Sequence, residues 1–275
     1  ARRDRQASRG FRQLHVGGKN QNEIYVRDSG MRITPCAGLV PCLRIPYTVG
    51  LKHGDEMSAR KLTAKITGVG KALPEGRLTN ADLEKRVDTN DAWITQRVGI
   101  RERRIAAEGE HTSDFAIRAA RDALALSGLK PEQIDLILVG TSTPDMIYPS
   151  VACQVQQALG ASNAGVLDIS AACTGFIYGA SLAWGMIQSG ALRHVLVIGA
   201  EKNSAIVDWS DRDTCILFGD GAGAAIFSEH RSNTDGVLSA KLGGDGSFGG
   251  LLHLPNSGCR SFPEATRRSP APPPP

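Results

Sequence analysis

The stretch Leu167-Asp168-Ile169-Ser170-Ala171-Ala172-Cys173-Thr174-Gly175-Phe176 reads as a strand that ends in a sharp turn of small residues and enters a helix at or just after Cys173. Beyond it Phe176, Ile177, Ala180, Leu182, Ala183, Trp184 and Ile187 make the helix apolar nearly all round. That pattern predicts a buried helix over about 174–188, which would hold its own first turn rigidly. A thiol at such a place meets the positive end of the helix dipole and amides that lack intrahelical partners. Settings of this kind lower a cysteine pKa from about 8.5 towards about 3.5–7.5 and give a thiolate at neutral pH. Ala171, Ala172 and Gly175 leave room for a substrate carbonyl to approach. Cys173 is therefore the candidate nucleophile. Cys153, in a helical run, and Cys215, in a strand-like run, read as small core residues.

Outward from this turn, strands alternate with helices. Lys65–Gly70 reads as a strand running into a glycine turn. Thr79-Asn80-Ala81-Asp82-Leu83 opens a short helix with a polar cap, and Asp88–Arg97 contains another, centred on Trp93. Thr112-Ser113-Asp114 caps a helix that Gly128 stops after Ser127. Ile134–Thr141 is a nearly continuous apolar run, as expected of a strand buried on both faces. Ser150 caps a helix to Leu159; Gly165–Ser170, Arg193–Glu201, Cys215–Phe218 and Ala222–Phe227 read as strands, the last two joined by Gly219-Asp220-Gly221. The alternation predicts an α/β sheet with helices on both faces. The glycines from Gly219 to Gly223 are not a phosphate loop, because a strand rather than a Lys-bearing helix follows; they read as positions of tight turning and close packing.

The ends are different. Residues 1–60 carry no sustained period and read as a disordered or non-native leader, with Met57 a natural start. Residues 61–258 form the patterned body, and 259–275 read as an irregular Pro-rich tail. The change near Gly258 reads as a frameshift or a misjoined gene end. The formal net charge of +4 divides along the same lines. Residues 1–56 hold 10 Lys/Arg against 5 Asp/Glu, and 260–275 hold three Arg against one Glu, so the body is mildly acidic. That argues against a nucleic-acid partner for the body. No run of 18 apolar residues exists to cross a membrane. Six cysteines in 275 residues make no disulfide framework, and Cys36 and Cys42 have no matching second pair for zinc.

Several motifs fall in one order: Val87-Asp88-Thr89-Asn90-Asp91-Ala92-Trp93-Ile94, Arg97-Val98-Gly99-Ile100-Arg101-Glu102-Arg103, Thr141-Ser142-Thr143-Pro144, Tyr148-Pro149-Ser150, the Cys173 turn, Asp208-Trp209-Ser210-Asp211-Arg212 and Phe218-Gly219-Asp220-Gly221-Ala222-Gly223-Ala224. From about Ile66 to Asn256 this set resembles β-ketoacyl-acyl-carrier-protein synthase III. The resemblance implies a thiolase-like fold, here the first βαβαβ half with a mixed sheet covered by helices and the second half absent. It implies an acyltransferase that condenses a short acyl-CoA with malonyl-acyl-carrier protein to start fatty-acid synthesis. By that resemblance Cys173 accepts the acyl group, Trp93, Arg97 and Arg212 contact the nucleotide end of coenzyme A, and Thr89 makes a polar contact nearby. Phe218 lies near the acyl group, and Tyr148, with Met146 and Ile147, sits on a loop that lines the partner subunit's acyl pocket. An indole face and a guanidinium plane both stack on a base, which suits Trp93 and the two arginines. No cofactor is implied, coenzyme A thioester being the substrate. A homodimer in the cytoplasm is implied, or a plastid enzyme if the Arg-rich start is a transit peptide.

In that family a His and an Asn from the second half assist decarboxylation and hold the thioester oxyanion. Neither His194 nor His253 is followed by the Asn-containing motif, so the role passes to neither, and condensation by this chain is expected to be impaired. Two other readings stand beside this one: another thiolase-fold condensing enzyme of polyketide or hydroxymethylglutaryl type, and a non-catalytic partner fragment.

Overall fold

The computed structural model describes residues 14–15, 25–26 and 60–254. The chain divides into two compact units, residues 1–53 and 54–275. In the first, Leu14–His15 (β1) pairs antiparallel with Tyr25–Val26 (β2). The expectations of a leader over the rest of 1–60 and of an irregular tail over 259–275 lie outside the described residues.

The second unit is built on a five-stranded sheet. Its strands are Leu62–Ala72 (β3), Leu136–Gly140 (β6), Gly165–Ile169 (β7), His194–Lys202 (β8) and Asp220–Arg231 (β9), in the order β3-β9-β8-β6-β7. β7, β6 and β8 run parallel; β9 is antiparallel to β8, and β3 to β9. A small hairpin-like pair, Gly76–Thr79 (β4) with Glu102–Ile105 (β5), stands apart. The helices are Asn80–Glu84 (α1), Asp91–Val98 (α2), Thr112–Ser127 (α3), Val151–Leu159 (α4) and Gly175–Gln188 (α5).

Handedness decides the layering. The chain steps from β6 through α4 to β7, then back through α5 past β6 to β8. Right-handed crossovers in opposite directions put α4 and α5 on opposite faces. Alternate residues of the central strands accordingly serve different layers. Leu196 and Ile198 of β8 pack with Ile137, Val139 and the α3 and α4 residues Phe115, Ala119, Ala120, Val151 and Val155. Val195 and Val197 pack with Leu138 and the α5 residues Ala183 and Ile187. A third cluster of Leu78, Leu83, Ile94, Ile105, Val207, Trp209, Cys215 and Ile216 holds the hairpin, α1, α2 and the 206–218 loop together.

The caps predicted from sequence are present on α1 and α4; α3 is capped one residue earlier than expected, at His111, whose N–H donates to Asp114, while Thr112 and Ser113 are its first helical residues. Thr79 and Asp82 form a reciprocal capping box on α1. The Ser150 hydroxyl accepts from the Cys153 N–H at the start of α4, and Gly128 closes α3 in the left-handed conformation. The alternation of strands and helices also holds, as an α/β sheet with both faces covered.

Four local expectations are corrected. Gly68 and Gly70 do not turn the chain; they lie inside β3, where a Cβ would come 2.2 Å and 2.1 Å from the Ala123 and Ala119 carbonyl oxygens of α3. Their lack of a side chain lets that helix sit directly on the strand. Cys215–Phe218 is not a strand but a run of turns, because its polar groups bond locally and to a buried arginine rather than to a neighbouring strand. Asp220 and Gly221, read as a connector, are the first residues of β9; the buried Asp220 carboxylate accepts from the Ala106 and Ser204 N–H groups. Finally, α5 is not buried all round. Only Gly175, Gly179, Ala183 and Ile187, spaced four apart, are buried, and Ile177, Leu182 and Met186 face outward.

Candidate active site

Cys173 lies where β7 ends and α5 begins. After Ile169 the chain turns through Ser170 and Ala171 into a single 3₁₀ turn, Ala172–Thr174, and α5 follows at Gly175. Ala172 has φ +45°, a left-handed conformation that costs an L-residue roughly 1–2 kcal/mol. The turn is held by the Thr174 N–H and hydroxyl, both donating to the Ala171 carbonyl at 3.1 and 2.7 Å. It is also wedged from behind. A Cβ on Gly140, at the end of β6, would lie 2.6 Å from the Gly175 carbonyl carbon, and one on Gly179 would lie 2.7 Å from Val197 Cγ1. Backbone therefore packs on backbone at the helix start, and Cys173 itself is exposed.

Among the described residues the other two thiols have different surroundings. Burial pushes the Cys215 thiol up, and Asp211 pushes it further. Cys153 is half-buried in the first turn of α4. These are the helical and core-like positions expected for Cys153 and Cys215, although Cys215 sits in a turn rather than a strand.

The turn opens at the carboxyl ends of the parallel strands, where ligands bind in open α/β sheets. Two carboxylates stiffen this rim. Asp168, within the quoted stretch, accepts from the Val151 and Ala152 N–H groups at 2.8 Å each and so ties β7 to the start of α4. Burial raises its pKa, against the pull of these two bonds. Glu201, at the end of β8, accepts from the Ser142 N–H and the Thr143 hydroxyl, and burial raises its pKa also. Sequence reading passed over both; their only signal was an acid at the end of an apolar strand. The loop between β6 and α4 is anchored by Asp145, which accepts from the Ser113 N–H at 3.0 Å and from its hydroxyl. From that anchor Met146, Ile147 and Tyr148 project into solvent, Tyr148 being 82% exposed.

Trp93, Arg97 and Arg212 come together. The Arg97 guanidinium stands 4.8 Å from the Trp93 ring centroid, one helical turn along α2, and the Arg212 guanidinium stands 4.5 Å from it. Asp88 accepts from Arg212 at 3.4 Å. Two cations on one indole make a flat platform with positive charge at its edge, suited to a base and its phosphates. The Thr89 hydroxyl oxygen nearby in sequence is shielded from solvent and has no hydrogen-bond partner among the described residues. Phe218 is half-buried against the same cluster that holds Trp93. His194 lies at the amino end of β8 and His230 near the carboxyl end of its antiparallel partner β9, roughly 25 Å along the strand from the Cys173 rim at about 3.3 Å per residue. Among the described residues no group of His, Cys, Asp and Glu could hold a metal ion.

Comparison with known proteins bears on what this arrangement is. Residues 167–246, which include the Cys173 turn, match the family 3-oxoacyl-[acyl-carrier-protein] synthase III. The chain is 54% identical over 200 residues to the β-ketoacyl-[acyl-carrier-protein] synthase III of Caldanaerobacter subterraneus subsp. tengcongensis, a match covering 73% of this chain and 60% of that protein. Over its matched region the chain is similar to the β-ketoacyl-acyl-carrier-protein synthase III family. The synthase III of Oceanobacillus iheyensis is 56% identical over 189 residues, 69% of this chain and 60% of the relative. The chain thus spans about 60% of the length of these curated relatives. Among solved structures, the synthase III of Aquifex aeolicus superposes with a TM-score of 0.59 at 55% identity, covering 60% of this chain and 53% of that one. A priming β-ketosynthase from the R1128 polyketide pathway gives 0.60 at 37% identity, covering 69% and 53%. The fold is the thiolase-like one of these synthases, as the ordered motifs implied.

Proposed function

We propose that this chain is an acyl-CoA-dependent acyltransferase of the synthase III type, with Cys173 as its nucleophile. The observation that carries the proposal is an exposed thiol in the 3₁₀ turn that leads into α5, held by backbone-to-backbone packing at the carboxyl ends of three parallel strands. In the proposed step the Cys173 thiolate attacks the thioester carbonyl of a short acyl-CoA. A new carbon–sulfur bond forms, the old one breaks, and coenzyme A leaves as its thiolate, to be protonated by solvent. The Trp93–Arg97–Arg212 platform receives the nucleotide end, and Thr89 offers it an unmet hydroxyl. Phe218 flanks the acyl group.

The second proposed step is decarboxylative condensation with malonyl-acyl-carrier protein. It needs a donor for the developing oxyanion, whose loss costs about 10²–10³ in rate. Among the described residues no imidazole hydrogen-bonds into the Cys173 turn, so acylation is expected to outrun condensation in this chain. We further propose a homodimer, with Tyr148 reaching a partner's acyl pocket. Support comes from the exposed Met146, Ile147 and Tyr148, and from Val166 and Leu167 on β7, a sheet-edge strand. Among the described residues no helix is long and apolar enough to cross a membrane, and a cytoplasmic site of action is proposed.

The test is a product assay on the purified 275-residue chain with acetyl-CoA and malonyl-acyl-carrier protein. Acyl-enzyme without ketoacyl product is expected; turnover as fast as acylation would refute the impaired second step. The polyketide-type reading, favoured by the likeness to the R1128 priming enzyme, predicts faster acylation by longer or branched acyl-CoAs than by acetyl-CoA.

A further inference from the structure

Arg103 lies on β5, is 3% exposed, and is joined by no carboxylate directly among the described residues. Burying a guanidinium without an anion is costly unless its donors are all used. Here each of the three nitrogens spends a donor, on two separate pieces of chain. Nε donates to the Ile216 carbonyl at 3.0 Å, Nη2 donates to the same oxygen, and Nη1 donates to Asn80 Oδ1. Asn80 Nδ2 in turn donates to Asp91 Oδ1 at 2.7 Å and to the Ile100 carbonyl at 2.9 Å.

The two ends of this chain of bonds matter. Asp91 is the first residue of α2, two before Trp93 and six before Arg97. Ile216 stands four residues after Arg212 and two before Phe218. Trp93 and Arg212 meet at 4.5 Å although more than a hundred residues separate them in sequence. At the surface the Arg212–Asp88 contact links their segments, exposed and open to salt screening. The Arg103 fork is the buried counterpart, planar and pre-organised for two acceptors.

We propose that Arg103, acting with Asn80, is a positioning residue for acyl-CoA recognition. It sets the separation between α2 and the 208–218 loop, and so between Trp93 and Arg97 on one side of the nucleotide platform and Arg212 on the other. The proposal rests on the reading of Trp93, Arg97 and Arg212 as nucleotide-end contacts. Arg103 touches neither substrate nor Cys173; its effect is on binding of the nucleotide end and not on thiol chemistry.

The test is the acylation of Cys173 in the 275-residue chain by two donors, acetyl-CoA and the acetyl thioester of N-acetylcysteamine, which has no nucleotide. For Arg103→Lys and Asn80→Ala the half-saturating acetyl-CoA concentration is expected to rise about tenfold, a displacement well under an ångström being enough. The maximal acylation rate and the rate with the short thioester should stay as in the parent chain. Asn80→Ala keeps the Ile216 bonds and carries the same test should Arg103→Lys not fold. Trp93→Ala is the control. If Trp93→Ala weakens use of acetyl-CoA and the Arg103 and Asn80 variants do not, the positioning role is overturned and the nucleotide reading survives. If those variants slow both donors equally, Arg103 is only structural and the proposal is overturned. If Trp93→Ala changes nothing, the nucleotide reading fails and the positioning role falls with it.

Discussion

Helices α3 and α5 cover opposite faces of one sheet and use their apolar residues in contrasting ways. α3 buries Phe115, Ala116, Ala119, Ala120, Ala123 and Leu124, and its small side chains lie directly on β3 through Gly68 and Gly70. Its charged residues take the outer side, as in an amphipathic surface helix. α5 is the more apolar of the two, yet it buries only a stripe of Gly175, Gly179, Ala183 and Ile187. Ile177, at 53% exposure, and Leu182 and Met186 look away from the sheet. α3 is a packing element whose large apolar residues, Leu126 in its last turn excepted, are used within the described fold. α5 is an element whose inner stripe fixes Cys173 and whose outer side remains available. Apolarity around a helix therefore signals surfaces to be covered, not a layer already covering them.

That contrast can be broken by substitution, and the largest effect belongs to α3. Phe115→Ala is expected to cost about 3–5 kcal/mol in denaturant unfolding, as a fully buried aromatic does, whereas Ile177→Ala should stay within about 0.5 kcal/mol. Equal losses would mean that α5 is covered as fully as α3. Next come the glycines. Gly70→Ala drives a methyl against the Ala119 carbonyl oxygen and should destabilise by about 1–3 kcal/mol. Gly185→Ala, on the open side of α5 with nothing within 4 Å of the new methyl, should stabilise by about 0.5–1 kcal/mol in the same measurement. A destabilising Gly185→Ala would show that its surroundings are closed.

The smallest effect reports on the sheet that both helices share. Burial lowers the His194 pKa below the ordinary 6.5, with Arg193 adding to it and Asp135 and Glu229 opposing. The unfolded chain then binds the proton more readily than the folded one between the lowered value and 6.5. Stability should accordingly rise with pH through that window, be complete above 6.5 and fade as pH falls below it. Comparing unfolding midpoints of the parent chain and His194→Gln across this range should show the slope in the parent only; identical slopes would contradict the burial of the imidazole.

Much of the fold was legible because its signals are local. Ser150, Thr79 and Gly128 announce helix ends through bonds within a few residues, and Ile134–Thr141 announces a strand covered on both sides. Gly68 and Gly70 were misread because a glycine that turns and a glycine that admits a helix look alike in one dimension. Cys215–Phe218 was misread because its apolar side chains face a cluster while its backbone answers to Arg103, 113 residues away from Ile216. The site shows the same division. The small residues around Cys173 and the Trp93–Arg97 spacing of one helical turn carry their geometry in the sequence. The approach of Arg212 to Trp93 and the buried fork of Arg103 are made by folding, and no spacing foretells them.

The central claim is that the inner stripe of α5 holds Cys173 as an acyl-accepting nucleophile. Incubating the chain with isotopically labelled acetyl-CoA and mapping the label by peptide mass spectrometry tests it most directly. The account predicts one acetyl group on Cys173, removed by treatment that cleaves thioesters and absent from Cys173→Ser, with Cys153 and Cys215 unmodified. Label on Cys153 or Cys215, or a folded chain that takes up none, would contradict it.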